Sequence, residues 1–254
     1  MNLDRVTITG ADDSISPAEL LPLSRDFPWT EWGILVSAKH SAGGGKRFPS
    51  YEWISALMAQ PARPRLNLSL HVCGRWVREL LVGKNSIPEW MLAPFHRAQL
   101  NFHAEVSECD PPKFLEALRS LGKRQIIFQL DGVIGEQFLE AADLEDVEES
   151  CGDTDLDCVP LFDVSGGAGV LPAKWPAPWF PGGDNPLTAH GYAGGLSPDN
   201  LAEQLPRIAA AAGDCRIWID VETKVRSGHD TLFDLTKVRR FLEAAAPFVG
   251  KESP

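Results

Sequence analysis

The sequence predicts a single-domain (β/α)8 barrel, the TIM-barrel form of the α/β class, and three observations predict it. Eight short runs rich in β-branched and aromatic residues recur along the chain: Val6–Thr9, Gly33–Ser37, Leu66–Val72, Ala98–His103, Gln125–Leu130, Val159–Val164, Gly191–Ala193 and Arg216–Val221. Between several of them lie stripes of apolar residues at helical spacing, some opened by capping residues. The length of 254 residues is that of one such barrel, and 44% hydrophobic residues can fill a large core, so residues 1–254 read as one domain.

Taken in order, the first strand leads to Ser16-Pro17-Ala18-Glu19, a capping box with proline at the first helical position. After the second strand comes a long loop, His40–Pro49, with three consecutive glycines and then Lys46-Arg47. Ser50 can cap a helix whose apolar face is Ile54, Leu57 and Met58. A double proline precedes the stripe Phe114, Leu115, Leu118 and Leu121. The acidic stretch Asp143–Asp157 reads as a solvated helix end and turn. The loop after strand six, Ser165–His190, is rich in Gly, Pro and Trp, and loops of that length at a barrel's catalytic face serve as lids or substrate walls. Ser197-Pro198 opens a helix with Leu201, Leu205 and Ile208 on one face. The last helix runs from Asp234 through Leu235, Val238, Phe241 and Ala245.

Net charge is −11, which argues against nucleic acid or an anionic membrane as a partner. A phosphorylated substrate stays open, because backbone amides at helix starts bind phosphate whatever the overall charge. The expected partner is a small molecule, with or without phosphate, bound by a monomer or homodimer without a cofactor. No apolar run approaches the roughly 20 residues that span a bilayer. MNLDRVTITG reads as a strand rather than a basic-then-apolar leader, and the five scattered cysteines read as free thiols, so a reducing cytoplasm is expected. No cysteine or histidine spacing matches a metal site.

A TIM barrel carries its chemistry at the carboxyl ends of the strands. Those ends hold Thr9 and Asp12, Ser37 with Arg47 beyond it, His71 and Cys73, His103 and Glu105, Asp131, Asp163, Gly194-Gly195, and Asp220, Glu222 and Lys224. In Gly194-Gly195-Leu196-Ser197-Pro198 the glycines let backbone approach an anion, and the following helix would aim its free amides at it. A plain turn needing small residues accounts for the same motif. Likewise Cys73 reads as either a reactive thiol or a small core residue, His103 as a base or a structural histidine, and Asp131-Gly132 as a base or a turn.

The order CVPLFDVSGGAG, Trp175, AGGLSPDNL, then IDVE…GHD…VRRFL resembles the end of phosphoribosylanthranilate isomerase. VTITG, Lys46-Arg47-Phe48 and LNFHA fall where that family has related steps. The resemblance implies an Amadori-type aldose–ketose isomerase. It makes Asp163 the general acid, Arg47 the contact to the anthranilate carboxylate, Asp220 the strand-eight aspartate, and Gly194 and Gly195 part of a phosphate site. Two positions depart from the pattern. Thr9 stands where the family has its cysteine base, and a threonine hydroxyl is too weakly acidic to replace it unaided. Glu222-Thr223-Lys224 stands in place of a phosphate-binding SSG. A replacement base is then expected from Cys73, Asp131 or His103, with the His71 imidazole on the same strand face able to lower the Cys73 pKa. Thr9, His71, Glu222 and Lys224 join Arg47 and Asp220 as expected substrate contacts. The departures favour a different substrate from that of the tryptophan-pathway enzyme. A metal-assisted lyase or hydrolase and a non-catalytic metabolite-binding barrel are the alternatives.

Overall fold

Strand formation follows the apolar runs closely. The computed structural model describes residues 2–40, 42–43, 45–60, 65–102, 109–130, 156–163, 165–178 and 189–250. Its strands are β1 (Asn2–Thr9), β2 (Thr30–Ser37), β3 (Asn67–Cys73), β4 (Arg97–Asn101), β5 (Gln125–Leu130), β6 (Asp157–Phe162), β7 (His190–Tyr192) and β8 (Arg216–Val221). Each pairs in parallel with the next, and β8 returns to β1, closing the barrel without an edge. The expected (β/α)8 class is thus the observed one. β1 and β2 start earlier than their apolar runs because polar residues there pair across the ladder: Arg5 Nη1 donates to Glu31 Oε2 at 2.9 Å.

Seven helices are described: α1 (Leu20–Asp26), α2 (Tyr51–Met58), α3 (Arg75–Leu81), the single turn α4 (Glu89–Leu92), α5 (Pro111–Ser120), α6 (Leu201–Ala212) and α7 (Leu235–Ala245). The capping box forms as expected: Glu19 reaches back to the Ser16 amide at 2.8 Å and opens a 3-10 turn, Pro17–Glu19, that runs into α1. Ser50 caps α2, Asp110 caps α5 and Asp234 caps α7. α6 begins later than Ser197, because Asn200 first bonds back to the Ser197 amide and the Gly195 carbonyl. No described helix is long and apolar enough to cross a membrane.

The main core lies between the sheet's outer face and the helices. Ile8, Ile34, Leu70, Leu100 and Ile219 meet helix residues such as Ile54, Leu80, Phe241 and Leu242, all fully buried. Each such side chain contributes about 1.5–3 kcal/mol. Trp175 belongs to this core: its indole donates to Gln204 at 3.1 Å and meets Tyr192 edge-on.

The barrel interior divides into two halves. Toward β5–β8 it is apolar, with Ile127, Val159, Leu161, Ala193 and Trp218. Toward β1–β4 it is polar. Glu31 accepts from Arg97 at 2.7 Å and from Thr7 at 2.9 Å, and Arg97 stacks over Trp218 at 4.3 Å. Two glycines make room: a Cβ on Gly33 would fall 2.2 Å from Thr9 Oγ1 and 2.7 Å from His71 Cε1, and one on Gly191 would fall 2.4 Å from Trp218. His71 is fully buried, and neither ring nitrogen finds a hydrogen-bond partner among the described residues. Burial pushes its pKa down to about 3.

Two outcomes follow from this interior. Arg97→Met leaves Glu31 buried without its main partner and lowers stability by about 3–5 kcal/mol in urea unfolding, whereas Glu31→Leu with Arg97→Met recovers most of the loss. His71 takes a proton near pH 6.5 when unfolded but only near 3 when folded, so it removes stability as pH falls from 6.5 towards 3. His71→Leu therefore flattens that acid limb when stability is compared at pH 7 and about pH 5.

Candidate active site

The strands converge at their carboxyl ends on a cavity of about 280 Å³. Eight of the residues singled out in the sequence line it: Arg47, Cys73, Asp163, Gly194, Gly195, Asp220, Glu222 and Lys224. Thr9 lies directly behind Asp220, and His71 lies deeper in the barrel beside Gly33. His103, Glu105, Asp131 and most of the acidic stretch are outside the described residues.

The two central carboxyls have contrasting surroundings. Asp163 closes the end of β6 and accepts four hydrogen bonds: from Ser165 N at 3.2 Å and Oγ at 2.7 Å, from Gly167 N at 2.8 Å and from Gln129 Nε2 at 2.9 Å. This is an Asx turn that holds both oxygens as acceptors. Asp220, on β8, is buried and accepts from Thr9 Oγ1 at 2.7 Å. Burial drives its carboxyl well above the usual range, and Glu222, Glu31 and Asp163 push the same way, while the Thr9 hydroxyl opposes them.

Cys73 does line the cavity and does share a strand face with His71. The expected activation is absent, however, because His71 is held neutral and burial pushes the Cys73 thiol up rather than down. The Cys73 Sγ lies 3.8 Å from the His71 carbonyl and accepts from Asn101 Nδ2 at 3.4 Å. Asn101, Gln99 and Gln129 line the floor of the cavity and drew no attention in the sequence. The only signal was their alternation in RAQLN and QIIFQL, which any half-buried strand can show.

Arg47 reaches the rim but is not free. Its guanidinium pairs with Glu222 through Nη1 and with Asp230 through Nε at 2.8 Å. Burial tends to lower its pKa, yet those two carboxylates hold it above the ordinary value. Asp12 accepts from the Arg47 amide at 2.9 Å and from Arg226 at 2.6 Å. Burial works against the Asp12 charge, but these bonds and those from Ser14 carry its pKa below the usual range.

The glycine pair has a packing reason. Gly195 has φ +68°, and a Cβ there would fall 2.4 Å from Leu171 N, so the loop after β6 lies directly against it. Gly194, at φ +105°, similarly faces Asp163 and the Val170 carbonyl at 3.2 Å. Among the described residues, no cluster of three or more His, Cys, Asp or Glu is arranged to hold a metal ion.

No protein-family model matches the chain. It is similar to N-(5'-phosphoribosyl)anthranilate isomerase of Zygosaccharomyces bailii, with 41% identity over 90 residues. That match covers 34% of this chain and 38% of the relative, so it spans well under half of either. The resemblance read from the motifs is therefore seen in a direct comparison as well.

Gly195→Ala should lower the urea midpoint by the equivalent of about 1 kcal/mol or more, because both the left-handed backbone and the Leu171 contact resist a methyl group. An unchanged midpoint would mean that the loop after β6 does not hold against Gly195.

Proposed function

We propose that this barrel is an isomerase that moves protons by acid–base catalysis on a small sugar-derived metabolite held in the mouth cavity. The observation that carries the reading is the pair of buried carboxyls in one cavity: among the described residues Asp163 accepts four hydrogen bonds and Asp220 one. Two titratable groups in contrasting environments are what divides acid from base in such a reaction. The similarity to phosphoribosylanthranilate isomerase supports the reaction class.

The geometry favours Asp220 as proton donor and Asp163 as acceptor, the reverse of the general-acid role that the resemblance implies for Asp163. Asp220 gives its proton to the ring oxygen of a cyclic aldose derivative, and the C–O bond to the anomeric carbon breaks. Asp163 takes the proton from the adjacent carbon, forming an enol. The enol tautomerises to the ketose by gaining a proton at the former anomeric carbon and losing one from its oxygen. No atoms or electrons are gained or lost overall. Thr9 orients Asp220 through its hydroxyl, a positioning role that needs no acidity of its own. Cys73, raised by burial, is not required as the base.

The test is deuterium exchange from solvent into the carbon next to the carbonyl of aldose substrates, followed by NMR across a panel of pentose derivatives. Asp163→Asn and Asp220→Asn should each slow exchange about 100-fold or more. Full exchange in both variants would sink the assignment, and no exchange in the parent protein would leave binding without turnover as the function.

A further inference from the structure

We propose that Glu222 is a specificity residue: its carboxylate occupies Arg47 at the cavity rim and closes that position to carboxylate and phosphate ligands. The inference rests on the reading of the mouth cavity as the substrate site.

Arg47 is held at the rim by its backbone as well as its side chain. Its φ of 72° is left-handed, a conformation that strains a non-glycine residue. Among the described residues the non-glycine residues with positive φ are Arg47, His229 and Asp230. All three belong to one clasp. Arg47 bonds Asp230, and Lys46 Nζ reaches the His229 carbonyl at 3.5 Å. Strain gathered in one place persists because the surroundings over-determine it. Here the Asp12 carboxylate holds the Arg47 amide, and fully buried Arg226 ties Asp12 to Asp230.

The guanidinium so presented already has its anions. Glu222 takes Nη1, and both residues line the cavity. Asp230 takes Nε. A ligand carboxylate on the same guanidinium would bring a third negative charge beside Glu222 and Asp230, which already balance its single positive one. The remaining charges give an anion little compensation. Among the described residues Lys224 is the other cation on the lining, and it faces a cavity that also holds Asp163, Asp220 and Glu222. Arg226 lies behind the rim and is committed to Asp12, Asp230 and the Gly10 carbonyl.

The glutamines of the lining spend amide hydrogens within the protein. Gln129 Nε2 donates to Asp163, and Gln99 Nε2 donates to Asn101 Oδ1 at 2.9 Å. Both glutamine carbonyl oxygens are left without a hydrogen-bond partner among the described residues. Turning either amide over would break the bond its nitrogen makes, in one case against a carboxylate. Both amide nitrogens are thus held on protein acceptors.

The experiment measures binding of benzoate and of inorganic phosphate to the full chain by titration calorimetry at low ionic strength. It compares the parent protein, Glu222→Gln, Glu222→Ala, and Glu222→Gln combined with Arg47→Met. Circular dichroism and urea midpoints verify folding of each. The expected result is at least about tenfold tighter anion binding in a folded Glu222 variant than in the parent, lost again when Arg47 is replaced. Parent binding as tight as that of the Glu222 variants would overturn the proposal, as would a gain that survives Arg47→Met. Because the readout is binding rather than isotope exchange, either result is separable from failure of the isomerase reading.

Discussion

A carboxylate in the middle of a protein must be matched, and Glu31 is in the middle of this one. Burial works to raise its pKa, but Arg97, Arg5 and the Thr7 hydroxyl hold it below the ordinary value. That requirement organises the interior. Arg97 must cross the barrel from β4 to β2, and its guanidinium covers the Trp218 face on the way. Trp218 in turn fits because Gly191 has no side chain to occupy its space. Removing such a pair altogether would cost little in principle, since buried ion pairs gain little over apolar packing. Once one member is present, the other and its supporting glycine become obligatory.

The same interior explains the state of the mouth. Asp220 is raised first by its own burial and then by carboxylates on several sides, Glu31 among them. The upward push on its pKa is therefore a property of the packed barrel rather than of one neighbour. His71 shows the opposite sign of the same effect: burial disfavours its cation and the ring stays neutral. A neutral ring supplies no positive charge to Cys73, whose thiol is pushed up. Burial pushes each of these groups towards its neutral form, and at Glu31 the matched arginines override it.

Much of the fold was legible because its signals are local. The Ser16–Glu19 box, the Ser50 and Asp234 caps and the eight apolar runs each act within a few residues of themselves. The cavity's lining was legible too, since strand ends in a closed parallel barrel converge whatever their sequence. What stayed hidden depends on partners far apart in the chain. Nothing near Glu31 announces Arg97, and Glu31 reads equally well as a solvated strand residue. Gly195 reads as a turn glycine, but only the fold brings Leu171 against it. Arg47 reads as a free cation because Glu222 and Asp230 reach it from the other end of the sequence.

The two departures from the phosphoribosylanthranilate isomerase pattern prove to be neighbours in space. Thr9 on β1 bonds Asp220 on β8, and Glu222, just past the end of β8, bonds Arg47 after β2. Gly10, next to Thr9, faces Glu222: a Cβ there would lie 3.4 Å from the glutamate side chain. The β8–β1–β2 side of the mouth is thus one connected assembly in which a hydroxyl, a buried carboxyl and an occupied arginine are set together. The β6–β7 side, with Asp163 and the glycine pair, is held by its own bonds to Ser165, Gly167 and Gln129. Two separately supported walls let one change its ligand chemistry while the other keeps its carboxylate fixed. A barrel built this way can alter what it binds without disturbing the geometry on which proton transfer would depend.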